Sequence, residues 1–221
     1  KRWLIHAEKV LREIFNQSNT YNALHSLYQE LGVFGTAAMG VFEDYDNVIR
    51  CKPYTVGSYS IALNGRDEVD TWCREYQLTV AQLVKEFGYD NCSNSVQNQW
   101  DNGNTESWVD VAHIVEPNDN RDSMSPLAKD KKYRSIYFEK NCPTTEDKFL
   151  RESGFDDFPI LAPRWEVTGE DVYATACPGI DAIGDTKALQ LSELHKYEGI
   201  EKRNSPHMIA PTNLRNVVAK G

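Results

Sequence analysis

The hydrophobic period switches from helical to alternating near Val41, and this restricts the fold more than any other feature of the chain. Before the switch, Trp3, Ala7, Val10, Leu11 and Ile14 lie on one helical face, and the pattern stops at the polar stretch Asn16 to Asn19. A second helix is predicted from a cap at Asn19 or Thr20, with Tyr21, Leu24, Tyr28 and Leu31 on one side and Gly32 as its left-handed stop. Residues 1–32 thus read as a helical hairpin. After the switch, Tyr59, Ile61 and Leu63 alternate with Ser60 and Ala62, and Asn64-Gly65 offers a tight turn. Trp72, Arg74, Tyr76 and Leu78 then alternate with Thr71, Cys73, Glu75 and Gln77, which predicts an antiparallel sheet.

A short helix interrupts that sheet. Thr79 with Gln82 forms a capping-box pattern, Val80, Leu83, Val84 and Phe87 repeat at helical spacing, and Gly88 ends the run. An irregular helix is expected around Val96 and Trp100, then a strand from Trp108 to Val115. The segment 116–132, EPNDNRDSMSPLAKDKK, has too few apolar side chains to offset its ordering entropy and reads as a mobile loop. Ile136 and Phe138 alternate with Ser135 and Tyr137, and Lys148 to Ser153 is a second candidate strand, so Tyr133 to Phe155 reads as a closing hairpin. After a crossing segment marked by Pro159 and Pro163, Pro178 opens a long helix from Gly179 to Lys202, about 36 Å at 1.5 Å per residue. The expected class is α+β: a hairpin at 1–32, a β-rich domain at 33–165, a long-helix region at 166–205 and the start of another segment at 206–221.

Charge excludes several functions. With Lys+Arg 24 against Asp+Glu 33 the net charge is −9, which disfavours capture of nucleic acid by the chain as a whole. No apolar run reaches the ~18 residues that cross a bilayer, and no signal peptide is visible, so the chain reads as soluble and unexported. It begins at Lys1, inside an amphipathic pattern and without methionine, as a piece of a longer protein would. The five cysteines form no CxxC pair and read as reduced, buried thiols in a cytosol-like compartment.

The candidate sites each have a plain structural reading. Glu43, Asp44 and Asp46 could hold a hard cation but lack the spaced ligands of a calcium loop, so they read as a solvated strand end. Asp101 to Asn104 reads as a turn. The five histidines are scattered, and Asp110 and His113, three apart on a strand, point to opposite faces and cannot pair directly. Nucleophile-elbow, phosphate-loop and dinucleotide motifs are absent. Neither an enzyme, a cofactor nor a metal is expected. On the last helix Lys187, Lys196, Lys202 and Arg203 interleave with Asp181, Asp185, Glu193, Glu198 and Glu201, the pattern of a solvated face. Many copies around an axis would change its meaning, because sparse cations on an acidic surface touch a passing phosphate backbone without trapping it.

Five stretches carry a resemblance: residues 32–79 (GVFGTAAMG through WCREYQLT), AQLVKEFG (81–88), VAHIVEPNDNR (111–121), FLRESGFDDFPILAPRW (149–165) and CPGIDAIGDTKALQLSELHK (177–196). In this order they resemble the head-to-tail connector, or portal, proteins of T7-like short-tailed bacteriophages. The resemblance implies a ring of about twelve subunits at one capsid vertex. Double-stranded DNA is packaged and ejected through such a ring, a conduit rather than an enzyme. It implies the packaging terminase, a tail adaptor and capsid or scaffold proteins as partners, and no membrane. The location implied is the virion, with assembly in the host cytoplasm. The helical and β-rich part resembles the portal wing, the helix from Pro178-Gly179 the first stem helix, and Pro206 onward the entry to the clip. A second stem helix and crown would follow Gly221. Lys187, Lys196, Lys202 and Arg203 are the channel-contact candidates. One departure stands out: Tyr173 is followed by Ala174-Thr175-Ala176-Cys177 where a glycine-containing stretch is expected. The alternatives are a metal-dependent hydrolase or nuclease built on Glu43, Asp44 and Asp46, and a monomeric adaptor whose 116–132 loop folds on a partner.

Overall fold

Helix α1 (Arg2–Gln17) forms where the periodicity predicts and buries no side chain; Trp3, Leu4, Ile5 and Leu11 of its apolar face are all more than half exposed. The structure is a computed structural model and describes residues 1–122, 124–141 and 148–207. Helix α2 (Thr20–Phe34) follows directly. Asn19, expected as its cap, makes no capping bond; its side chain instead donates to the Cys51 carbonyl (2.6 Å) and accepts from the Cys51 amide (2.9 Å). Gly32 does not end α2 either. The helix runs on to Gly35, whose φ of 76° makes the left-handed turn.

The reason lies beyond the helix. A Cβ on Gly35 would stand 2.8 Å from Ala174 Cβ and 3.2 Å from Cys177 Cβ, so the bend occurs where two backbones meet. Ala174 also donates its amide to Thr36 Oγ1 (2.8 Å), and Trp165 donates its amide to the Gly35 carbonyl (2.7 Å). The small residues after Tyr173 therefore serve the close approach without a glycine among them.

The β region holds two antiparallel sheets, a division that local alternation does not reveal. Strands β1 (Ala38–Asp44) and β2 (Val48–Tyr54) form a hairpin. Next come β3 (Tyr59–Leu63), β4 (Val69–Thr79), α3 (Val80–Phe87), α4 (Asn94–Asp101), β5 (Trp108–Pro117), β6 (Tyr133–Glu139), β7 (Arg151–Phe155) and β8 (Ile160–Leu161). The small sheet has the order β2-β1-β8 and the large one β3-β4-β5-β6-β7. Asn64-Gly65 does not make a two-residue turn: Asn64 Oδ1 accepts the amides of Arg66 and Glu68, and Asp67 takes the positive φ. The capping box at Thr79 and Gln82 is present with both of its hydrogen bonds. Between β5 and β6, a 3₁₀ turn (Ala128–Asp130) sits against β7, and Asn118 Nδ2 donates to the carbonyls of Lys129 and Lys131. Gly154 permits this, since a Cβ there would strike the Ala128 carbonyl.

The register puts Ile61, Trp72, Arg74, Tyr76, Val111, His113, Val115 and Tyr137 on one face of the large sheet. That face has two covers. At one end Trp72, Ile61 and Val115 pack with Ala38, Tyr54 and Ile160 of the small sheet. At the other, Val111 packs with Val80, Leu83 and Phe87 of α3 and Val96 of α4. The outer face of the large sheet carries the ion pairs Lys140–Glu75 and Arg134–Glu116. Helix α2 closes the far side of the small sheet through Ala23, Leu27, Ala37, Met39 and Cys51.

A second compact unit begins at Gly179. The expected long helix is divided: a short turn, α5 (Pro178–Asp181), precedes α6 (Ile183–Asn204), whose 22 residues span about 33 Å. Helix α6 buries no side chain. Of the expected segment 206–221, residues 208–221 lie outside the described residues. Gly35→Ala, which combines a left-handed residue with a clash against Ala174, is expected to cost about 2 kcal/mol or more, read as a lower urea midpoint.

Candidate functional site

All four predicted contact residues lie on α6, but they do not share one face. At about 100° per residue, Lys196, Lys202 and Arg203 fall within an arc of about 120°, and Lys187 lies outside it. Gly184, Ala188, Ser192 and Gly199 occupy the same arc together with Asp185 and His195, so the three cations share their face with small side chains, one carboxylate and one imidazole. Leucine and isoleucine flank it in two stripes, Ile183, Leu191 and Leu194 on one side and Leu189 and Ile200 on the other. Lys187 belongs to the first stripe. Lys196 reaches Glu193 at 3.4 Å across an exposed pair worth little. Lys187, Lys202 and Arg203 have no ion-pair partner among the described residues.

The carboxylate cluster does not converge. Glu43 and Asp44 end β1 as consecutive residues on opposite faces, and Asp46 sits in the following turn. Asp44 Oδ2 accepts from Asn47 Nδ2 at 3.4 Å. Among the described residues, no three His, Cys, Asp or Glu side chains are grouped to hold a metal ion. Asp101 to Asn104 closes α4, with Gly103 at φ 75°. Cys51, Cys73 and Cys92 are free thiols, and burial pushes the Cys92 thiol up to about 11. Cys142 lies outside the described residues.

Asp110 and His113 point to opposite faces, as alternation requires. Asp110 accepts from Gln77 and Asn141 on the outer face. His113 is buried on the inner face, stacked on Tyr137 (3.8 Å between ring centres) and 2.9 Å from Ser135 Oγ. Burial, helped by the charges of Arg74, Lys52 and Arg151, pushes its pKa down to about 3. It is a neutral core histidine at physiological pH.

A family model described as bacteriophage head to tail connecting protein matches residues 1–220. The chain belongs to this family. It is 52% identical over 216 residues to the portal protein of Salmonella phage epsilon15. It is 41% identical over 216 residues to the probable portal protein of Bordetella phage BPP-1. Each alignment covers 98% of this chain and 38% of the relative, so the chain spans well under half the length of these portal proteins. The resemblance read from 32–79 and the four later stretches is thus a family relationship along the whole chain. Nothing in the geometry of the described residues favours the Glu43, Asp44 and Asp46 constellation.

Sequence reasoning missed a cluster between the two covers of the large sheet, where Lys52 and Arg74 face Tyr54 and Tyr76. The available clue was Arg74 itself, a cation in the otherwise apolar stripe Trp72, Tyr76, Leu78. The neutrality of His113 has a measurable consequence. Because its folded pKa lies below the ordinary 6.5, the unfolded chain takes up the proton first; this contribution is complete above pH 6.5 and declines as pH falls toward 3. Between pH 7.5 and 5 the loss is about 2 kcal/mol at 1.4 kcal/mol per unit. In urea unfolding series, His113→Phe is expected to remove this pH-dependent component relative to wild type.

Proposed function

We propose that this chain is the wing, first stem helix and clip entry of a phage portal subunit, a structural ring component without catalytic chemistry. The observation that carries this reading is the family match over residues 1–220. Within it, the hairpin at 1–32 and the β-rich part at 33–165 form the wing, 166–205 holds the stem helix, and 206–221 begins the clip. The ring holds about twelve copies around a channel for double-stranded DNA. It engages the packaging terminase, a tail adaptor and capsid or scaffold proteins at the portal vertex of the virion, after assembly in the host cytoplasm. No described helix is long and apolar enough to cross a membrane.

The mechanism is electrostatic restraint. Each phosphate fixed by a cation would become a barrier to sliding, and the net charge of −9 keeps such contacts few. Lys196, Lys202 and Arg203, spaced among small side chains, Asp185 and His195 on one face of α6, supply weak contacts on that surface. Lys187 is the fourth contact candidate, offset to one side.

Native mass spectrometry and negative-stain imaging of the full-length parent protein test the ring. A closed ring of about twelve with a hole wide enough for duplex DNA is expected, and a monomer or dimer overturns the reading. Within assembled particles, reversing Lys196, Lys202 and Arg203 together to glutamate is expected to reduce DNA packaging or retention more than Lys187→Glu does. Unchanged packaging and retention in both variants would remove the channel-contact assignment.

A further inference from the structure

The inner face of the large sheet is covered by the small sheet at one end and by α3 at the other, and the covers do not meet. A cavity of about 350 Å³ remains between them. Its walls come from β1, β2, β4, β5, β6 and α3, all within the first compact unit. Arg74 lies over this floor, its guanidinium carbon 3.9 Å from the centre of the Tyr76 ring and 5.3 Å from that of Tyr54. Lys52 Nζ stands 5.9 Å from the centre of the same Tyr54 ring. Two cations therefore share one aromatic platform.

Neither cation has an ion-pair partner among the described residues. Arg74 Nε is buried and finds no hydrogen-bond acceptor. Such a donor costs free energy while it stays unmatched. The two charges also work against each other: burial and the nearby Arg74 push the Lys52 ammonium down, with only Glu86 acting in the opposite direction. Glu86 is the one carboxylate lining the cavity, and it sits exposed at the rim. Burial pushes the Tyr54 phenol up to about 12, and burial also raises Tyr76 and Tyr137. All three stay protonated and able to donate.

We propose that this cleft is an oxyanion site, in which Lys52 and Arg74 hold one carboxylate or phosphate group above the Tyr54 and Tyr76 rings. An oxyanion would satisfy the buried Nε–H, relieve the repulsion between the cations and accept from neutral phenols. The cavity's size, at the low end for small-molecule pockets, suits a single group and not a length of nucleic acid. Two sources carry that chemistry: a free small anion, and an acidic side chain of a polypeptide. The inference is independent of ring formation.

The test follows the Arg74 Nε–H resonance in the full chain labelled with ¹⁵N-arginine. Sodium phosphate is titrated against sodium chloride at matched ionic strength and pH 7. A saturable downfield shift is expected, with a midpoint on the order of millimolar. Lys52→Met is expected to weaken binding about tenfold. Glu86→Gln, which removes the rim carboxylate, is expected to tighten it about threefold. Lys52→Gln substitutes if the methionine variant does not fold. A hexaglutamate peptide and sodium acetate form the second arm. Tighter binding of the peptide than of acetate and phosphate assigns the occupant to an acidic polypeptide segment, and tighter binding of phosphate assigns it to a free anion. The absence of saturation with every probe, or saturation insensitive to the Lys52 variants, overturns the site.

Discussion

An unbroken line of ring contacts joins the two covers of the large sheet, and the first unit depends on it. Tyr54 of β2 packs on Trp72 of β4 at 4.6 Å, Trp72 meets His113 of β5 edge-on at 5.2 Å, and His113 stacks on Tyr137 of β6 at 3.8 Å. Tyr137 then reaches Phe87 of α3 at 5.3 Å. This line crosses the small sheet, three strands of the large sheet and one helix. Trp72, the second ring of the line, has no exposed surface. Aromatic pairs of this kind add about 0.5–1.5 kcal/mol each beyond the area they bury. The line also imposes a condition: a charged imidazolium in the middle would be both desolvated and close to Arg74, Lys52 and Arg151. Neutral His113 is therefore part of the packing, and the cations gather at the gap because the core cannot take them.

What was legible in the chain was whatever depends on near neighbours. The capping box at Thr79, the inserted helix with its stop at Gly88, the alternation of β4 and the opposite facing of Asp110 and His113 follow from spacing alone. The rest depends on residues far away in sequence. Gly32 and Gly35 are equal as local stops, and what separates them is the approach of Ala174 and Cys177. Asn19 is a good cap by composition, yet the Cys51 backbone offers its side chain two hydrogen bonds. The two-residue strand β8 has no periodicity to detect, and its pairing with β1 separates one expected sheet into two. The second strand of the closing hairpin begins at Arg151, later than Lys148, because Leu150 is taken into the core beside α3. Of the site, the four cations of α6 were visible by residue type, but their division into three and one needed the helix phase.

The acidic character of the chain gives its few concentrated cations weight. Most pairs on the outer face of the large sheet are local neutralisations, such as Lys140 with Glu75 and Arg134 with Glu116. Lys52 and Arg74 differ because they lie side by side on a shared aromatic floor with the acid held at the rim. The three cations on one arc of α6 differ in another way, standing among small side chains, Asp185 and His195 with no apolar floor. A cation on an aromatic floor beside a second cation favours a retained anion; a cation on a bare helical surface favours a transient one.

Helix α6 has a further physical problem in its two apolar stripes. Ile183, Leu191 and Leu194 lie within an arc of about 80°, and Leu189, Tyr197 and Ile200 within a second, their centres separated by about 120°. All six are between 46% and 66% exposed. One partner helix covers one stripe, as the ridge-and-groove geometry of packing requires. Two stripes at that separation call for a neighbour on each flank, and the arc carrying Lys196, Lys202 and Arg203 occupies the remaining third of the helix, outside both. The closed ring proposed above would supply two flanking copies to every helix by symmetry. In that proposed ring the arc of Lys196, Lys202 and Arg203 would face the same way in every copy. The exposed stripes of α6 and the placement of its cations are both compatible with the proposed ring.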